Sequence, residues 1–448
     1  MSETIVAQAT PFGESAIAMV RMSGADLKPL AAELLGRPPL PRRTARGAYR
    51  DRSGVVLDDV LFCYFSGPAS YTGEDVLEIS THGNPLIVRK VLDDLMGRGC
   101  RLAEPGEFTK RAFLNGRMDL SQAEAVMDLI HARSDRALEA ANRQIRGVLG
   151  RKIQDLIDRL LQALAELEAY IDFPEEDLPP EDQGGPASAV RELVTEIGKL
   201  SVTQRYGALL REGVGTVILG APNAGKSSLL NRLAGRDRAI VSEQPGTTRD
   251  FLEEKISMGR HCIRLIDTAG IHDSTDSLEK MGMEKTLSLL AEADLFLLVV
   301  DSGVPFPALP EVLVSRLNAE NSILVYNKAD LLDRPPEESP LPAVPHVVLS
   351  ALTGQGMENL AAALETLAER DRPTEHEDWI AVSARHAHAL ENARSALTTA
   401  LDQFRLVEPA ELVASELRSA LDSLGEITGK VDNEAMLDKL FASFCIGK

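Results

Sequence analysis

The segment Gly220-Ala221-Pro222-Asn223-Ala224-Gly225-Lys226-Ser227 fits the pattern G-x-x-x-x-G-K-[ST] in full, and Ser228 follows it. Its glycines let the backbone wrap closely around phosphate, so that amide N–H groups and a helix N-terminus face the anion. Lys226 is placed to reach the β- and γ-phosphates, and the Ser227 hydroxyl to ligate Mg²⁺. An apolar run, Val217-Ile218-Leu219, precedes the loop and a helix-like run, Ser228-Leu229-Leu230-Asn231-Arg232-Leu233, follows it. That strand–loop–helix context separates the motif from a chance Gly-rich turn.

Two later segments choose the base. Asn327-Lys328-Ala329-Asp330 follows the apolar run Ile323-Leu324-Val325-Tyr326. The Asp330 carboxylate can accept from both N1–H and the exocyclic amine of guanine; adenine would leave it unpaired. Asn327 and Lys328 are expected to brace the base and the phosphate loop. Ser350-Ala351-Leu352, after His346-Val347-Val348-Leu349, can present a backbone N–H to the guanine oxygen.

The γ-phosphate side is read from Asp267-Thr268-Ala269-Gly270, after Ile263-Arg264-Leu265-Ile266. Asp267 would hold the magnesium water shell and the Gly270 N–H would touch the γ-phosphate. The loop Pro245-Gly246-Thr247-Thr248-Arg249-Asp250 lies between the phosphate loop and Asp267, with Thr248 the second protein ligand to Mg²⁺, and Ser242, Glu243, Gln244, Pro245, Gly246, Thr247 and Thr248 complete the GTP-binding set. Such loops are ordered by the γ-phosphate and released on hydrolysis. A Ras-like enzyme carries a water-positioning glutamine after that glycine. Here the residue is Ile271, which cannot position water, so another group must. Glu279 is the candidate catalytic residue, able to orient water directly or through a second water.

These loops need a scaffold, and the periodicity supplies one. Residues 1–118 alternate short apolar runs, Thr4–Ala7 and Ile17–Val20, with turn signals and a helical stretch around Val88–Leu92, which reads as an α+β domain. Residues 119–212 are helical: Ile153, Leu156, Ile157, Leu160, Leu161, Leu164 and Leu167 follow the i, i+3, i+4 spacing. A loop is expected at Gly184-Gly185-Pro186 and one helix from about Val190 to Glu212. Residues 213–372 form the nucleotide-binding α/β region, and residues 373–448 are helical again. The economical fold is an α/β P-loop GTPase domain inserted into an all-α helical domain, preceded by the α+β N-terminal domain.

Composition narrows the classes. The 448 residues carry a formal charge of −20, with 44% hydrophobic and 26% charged residues. An acidic chain is no general nucleic-acid binder, and 4% aromatic residues argue against base-stacking platforms. No segment approaches the ~18 apolar residues of a membrane span, and the N-terminus lacks a signal-peptide layout. The scattered Cys63, Cys100, Cys262 and Cys445 form neither a disulfide framework nor a zinc spacing, so a cytoplasmic location is expected. His386-x-His388 has no third ligand and is not read as a metal site.

The chain resembles the MnmE (TrmE) family of tRNA modification GTPases, of the TRAFAC class. The resemblance is carried by Thr4–Pro11, by Thr72–Glu78, by Pro105–Gly116 and by the ending Phe444-Cys445-Ile446-Gly447-Lys448, beside the GTPase motifs. It implies a potassium-dependent GTPase that works as a homodimer and as a heterotetramer with the FAD-binding MnmG (GidA). The pair would add a carboxymethylaminomethyl or aminomethyl group at C5 of the wobble uridine, U34, of certain tRNAs. The one-carbon unit would come from 5-formyltetrahydrofolate or methylenetetrahydrofolate. The resemblance assigns folate binding and dimerisation to residues 1–118, with Arg21, Glu78, Arg117 and Lys448 at the folate positions. Arg117 departs from the lysine that the family often has, and the two cations differ in geometry. Asn223, Ser242, Gln244 and Thr247 match the potassium ligands, GTP and Mg²⁺ complete the cofactors, and Glu279 matches the catalytic glutamate. Cys445 is the one possible reactive thiol. The alternatives are a regulatory GTPase of ribosome assembly, which should carry a basic RNA module that this acidic chain lacks, and a scaffold with incidental GTP binding.

Overall fold

The computed structural model describes residues 3–172, 185–236, 253–267, 293–307, 309, 311–331, 341–370, 380–406, 408–430, 434–442, 444 and 446–447. The chain separates into two compact units. One comprises residues 1–127, 145–157 and 424–448, and the other residues 128–144 and 158–423.

The first unit holds a six-stranded sheet in the order β3-β4-β5-β2-β1-β6. The strands are β1 (Ile5–Gln8), β2 (Ser15–Gly24), β3 (Thr44–Arg50), β4 (Val56–Phe65), β5 (Asp75–Gly83) and β6 (Arg101–Leu102). All neighbours pair antiparallel except β1 with β6. Alternation sorts their side chains between two faces. Val20, Met22, Leu77 and Ile79 join Val88, Val91 and Leu95 of the helix Pro85–Gly97 in one core. Ile5 and Ala7 pack instead with Ala103 and Phe108. The helix Pro85–Gly97 starts where it does for local reasons: Asn84 Oδ1 accepts from the Leu86 N–H at 2.9 Å, and Pro85 takes the first turn. A further core joins Leu120 and Ala123 to Leu437, Phe441 and Phe444, fastening the C-terminal segment to this unit.

The second unit holds a six-stranded sheet in the order β12-β11-β10-β7-β9-β8. Its strands are β7 (Val214–Leu219), β8 (Glu253–Met258), β9 (His261–Asp267), β10 (Leu295–Asp301), β11 (Ser322–Asn327) and β12 (His346–Val348). All pairs are parallel except the edge hairpin β8–β9. Cores on both faces explain the unbroken apolar runs of β7, β10 and β11. The helix Lys226–Arg236 follows β7, and Met357–Ala368 follows β12.

The helical regions depart from expectation in detail. Residues 119–172 form three helices, Leu120–His131, Asp135–Ile145 and Val148–Asp172, with Gly147 at φ +75° between the last two. The helix expected from Val190 begins at Pro186, because proline is well suited to a first turn rather than to the expected loop. It also does not run unbroken to Glu212. It stops at Val202 and restarts at Gln204, with the buried Thr203 hydroxyl donating to Leu200 O at 2.7 Å between them. His386 is buried and its Nδ1 accepts from the Ser383 N–H, at the start of the helix Ala384–Leu406. Among the described residues no helix is long and apolar enough to cross a membrane.

Candidate functional site

The candidate site formed by these motifs lies at the C-terminal ends of parallel strands, where ligands sit in open α/β sheets. The fully buried β7 delivers the chain into the loop at Gly220, which has φ +151°. A Cβ there would stand 2.1 Å from Val299 O. Gly225, at φ +92°, is equally confined: a Cβ would stand 2.2 Å from Asn327 Nδ2. Both glycines are therefore required by backbone angle and by space. Asn223 takes a left-handed φ of +63°, a conformation asparagine tolerates better than most residues, and its side chain is exposed. Ser227 and Ser228 are exposed at the start of the helix Lys226–Arg236. Lys226 is 8% exposed, and its ammonium donates to Gly220 O at 2.8 Å and Ala221 O at 2.9 Å. A cation lies under the loop, beside a helix N-terminus that favours an anion.

Asn327 holds three segments together. It is 2% exposed, and its Nδ2 donates to Ala224 O at 2.9 Å while its Oδ1 accepts from the Ala351 N–H at 3.0 Å. One buried amide thus joins the phosphate loop, the end of β11 and the segment Ser350-Ala351-Leu352. The Ala329 N–H donates to Leu349 O at 3.0 Å, drawing the same two segments together from the backbone. Ser350 is buried, and its Oγ accepts from the Thr353 N–H at 3.1 Å. Asp330 lies exposed in the short 3-10 helix Ala329–Leu331, and Leu352 is exposed. The fit to a nucleotide is good: glycine cradles without room for a side chain, a buried ammonium, and an exposed carboxylate tied to the same frame.

Lys328 does something the sequence does not reveal. Its backbone is left-handed at φ +64°, and its ammonium donates to Asp301 Oδ2 at 2.7 Å. The expected brace from Lys328 to the phosphate loop is therefore supplied by Asn327, while Lys328 turns to the end of β10. Lys328, and then the Gly303 N–H, hold the Asp301 carboxyl below the usual carboxylate range. The neighbouring Ser302 donates its N–H at 3.0 Å, and its hydroxyl as well, to Asn327 O. An Asp-Ser-Gly at the C-terminal end of an apolar strand was the available signal for these residues.

Asp267 is described by its backbone alone, as the last residue of β9. Ser242, Glu243, Gln244, Pro245, Gly246, Thr247, Thr248, Thr268, Ala269, Gly270, Ile271 and Glu279 lie outside the described residues, as do Cys445 and Lys448.

In the first unit Arg21 and Glu78 stand directly opposite each other across β2 and β5. Arg21 Nε and Nη2 donate to Glu78 Oε1 at 3.0 and 2.8 Å, and Nη1 donates to Gly447 O at 3.4 Å. The guanidinium lies 5.9 Å from the ring centroids of both Tyr71 and Phe108. Burial pushes the Tyr71 phenol up, against the opposing effects of Thr109 and Arg21. Gly447, at φ +94°, fits because a Cβ would stand 2.4 Å from Gln8 O. The segments 72–78, 105–116 and 444–447 thus meet. Asn115 donates to Thr72 O at 2.8 Å, Arg111 to Glu74 at 2.9 Å, and Gly106 packs under Phe441 and Phe444. Arg117 is exposed, its aliphatic stem against Gly73.

Residues 4–117 match the model of the GTP-binding protein TrmE N-terminus, and residues 120–445 that of the MnmE helical domain. The tRNA modification GTPase MnmE of Opitutus terrae is 56% identical over 454 residues, covering 100% of this chain and 99% of that one. Its counterpart in Akkermansia muciniphila is 45% identical, covering 99% of each chain. That of Methylococcus capsulatus is 41% identical, covering 100% of this chain and 99% of the relative. The solved G domain of the T. maritima FeoB iron transporter is 29% identical over 35% of this chain and 98% of that one. Its TM-score is 0.26, too low to bear on the fold. With both family models matched in sequence order and relatives aligned from end to end, the chain belongs to the MnmE family of tRNA modification GTPases.

Proposed function

We propose that the chain hydrolyses GTP and couples hydrolysis to modification of the wobble uridine, U34, of certain tRNAs. The observation that carries the reading is the Asn327 amide, which ties the phosphate loop to both segments expected at the guanine base. In this reading Lys226 and the loop N–H groups hold the phosphates, Ser227 and Thr248 hold Mg²⁺, and Asp267 holds its water shell. Asp330 pairs with the guanine edge. Asn223, with Ser242, Gln244 and Thr247, holds K⁺, and Glu279 orients the attacking water. Residues 213–372 act as the GTPase domain, inserted between the helical parts 119–212 and 373–448. Residues 1–118 bind the folate one-carbon donor and dimerise, with Arg21, Glu78, Arg117 and Lys448 at the folate. Cys445 is the candidate thiol, and the FAD-binding MnmG is the partner in the cytoplasm. Support for this finer reading comes from family membership together with the meeting of Arg21, Glu78 and the C-terminal segment.

The base assignment has a direct test. Asp330→Asn replaces an acceptor by a group that can donate, so it should weaken GTP and improve xanthosine triphosphate, whose C2 oxygen replaces the guanine amine. Unchanged preference would reject Asp330 as the base reader. Hydrolysis should be faster in KCl than in NaCl at equal ionic strength; equal rates reject the potassium site. Mass spectrometry of U34 in cells lacking the chain tests the coupled modification, and unaltered U34 rejects it.

A further inference from the structure

The acidic side chain at the end of β10 belongs to no motif read above, yet it holds one. Asp301 faces Asn327 across the parallel β10–β11 pair. Its Oδ2 takes the Lys328 ammonium at 2.7 Å, and its Oδ1 accepts from the Gly303 N–H at 2.9 Å. Both carboxylate oxygens are thus committed, which fixes the carboxylate as well as its partner. Ser302 fastens Asn327 O by two donors, its N–H and its hydroxyl. The result is a clamp from one strand end onto two consecutive residues of the next. Those two residues occupy opposite roles: Asn327 points back to the phosphate loop, and Lys328 points sideways to Asp301.

The backbone at Lys328 makes the clamp informative. A left-handed φ of +64° is unfavourable for a lysine and needs local compensation. The ion pair to Asp301 and the bonds on Asn327 O supply it on either side of that peptide. The Lys328 side chain is 32% exposed and that of Asp301 20% exposed, so the contact is partly shielded from water.

We propose that Asp301 is a positioning residue of the guanine site, holding Lys328 so that its aliphatic stem, and not a free ammonium, borders the base. Ser302 is its backbone counterpart, fixing the peptide from which both Lys328 and Asp330 are presented. The proposal rests on the guanine-nucleotide reading above. Removing the Asp301 charge frees the ammonium and lets the strained Lys328 backbone relax, which displaces Asp330 from the base edge. Phosphate-side groups are left in place, so the loss falls on binding more than on turnover.

The test is a double-mutant cycle on the full chain with Mg²⁺, reading GDP affinity by calorimetry. Asp301→Asn and Lys328→Met should each weaken GDP about tenfold, the scale of one charge-assisted hydrogen bond. The double variant should be no more than about twofold weaker than the weaker single, because both remove the same contact. In hydrolysis, Asp301→Asn should raise KM about tenfold with a far smaller fall in kcat. A merely structural loss would lower the melting temperature equally whether or not Lys328 is present. GDP affinity of Asp301→Asn within twofold of the parent, or a double variant showing the full product of the singles, overturns the proposal. Should Asp301→Asn not fold, Asp301→Glu keeps the charge and serves instead: weakened GDP binding, relieved of further loss by Lys328→Met, supports the clamp, and parent-like binding overturns it. ADP is the control. A parent protein that binds ADP as well as GDP refutes the guanine reading, whereas a selective parent with an unaffected Asp301→Asn refutes only the clamp.

Discussion

The two six-stranded sheets present their candidate chemistry in opposite ways. In the parallel sheet the groups sit in loops that leave strand ends: Lys226 after β7, Asp301 at the end of β10, Asn327 to Asp330 at and after β11, Ser350 just beyond β12. In the antiparallel sheet they sit mid-strand on one face, Arg21 opposite Glu78, closed over by a segment from the far end of the chain. A strand-end loop carries its chemistry in consecutive residues and needs glycines and left-handed angles. A strand face carries it in single residues far apart in sequence and needs only alternation. The first site is consequently held by the buried hydrogen bonds of Asn327 together with an ion pair, and the second mainly by an ion pair.

That contrast predicts graded sensitivity. The largest effect should come from Lys226→Ala, which removes the buried cation under the phosphate loop. Hydrolysis should fall by about a hundredfold or more, as for loss of one transition-state donor, with little change in the far-UV circular dichroism. A rate near the parent's would show that the buried lysine is structural. Next, Asn327→Ala leaves Ala224 O and the Ala351 N–H buried without their partner, a cost of roughly 2–6 kcal/mol at ~1–3 kcal/mol per orphaned group. Urea unfolding of the full chain checks it. A loss under about 1 kcal/mol would erase the distinction drawn between the two sites.

Acid should reach His261 and Glu107 at different pH. His261 in the second unit is held below its ordinary pKa by burial, against the raising effect of Glu369 and its hydrogen bond. The unfolded chain therefore takes up that proton first, so its contribution to stability is present above the ordinary histidine range. It is lost as pH falls toward the lower folded value. Glu107 in the first unit is also depressed. Burial works to raise it, but the Arg101 hydrogen bond, the Glu104 N–H and Arg111 outweigh burial. Its contribution is present above the ordinary glutamate range and is lost only as pH falls below that. Stability measured against pH should therefore decline first in the histidine window and again in the carboxylate window. His261→Gln should flatten the first decline alone; an unchanged slope would reject His261 as its source.

The smallest effect should be on the strand face. Arg21→Ala breaks an ion pair whose side chains are each 20% exposed and takes the cation from the Tyr71 and Phe108 rings, together worth roughly 1–2 kcal/mol of stability. A larger loss would mean that the pair and the tail contact through Gly447 form one cooperative unit. In that case the antiparallel sheet is held by its candidate site as firmly as the parallel sheet is by Asn327.

How much was legible follows the same division. The phosphate loop, Asn327-Lys328-Ala329-Asp330 and Ser350-Ala351-Leu352 were readable because each is a contiguous string on a strand end. Asp301 was not, because Asp-Ser-Gly after an apolar strand marks a strand end but does not name the side chain the carboxylate will hold. The helix limits at Pro186 and Thr203 were missed for a related reason. The choice between loop and first turn at a proline, and between continuous and broken helix at a threonine, depends on where carbonyls find donors.

By itself the sequence determined the GTPase motifs, the α/β setting that carries them and the family resemblance, since these rest on local spacing and residue type. Only the tertiary structure decided which side chains share a contact. It turned Lys328 to Asp301, gave the bridging role to Asn327, and brought Gly447 onto Arg21 across nearly the whole chain. Hydrogen bonds and ion pairs depend on distance in space, and sequence spacing reports that distance only within a strand, a helix or a turn.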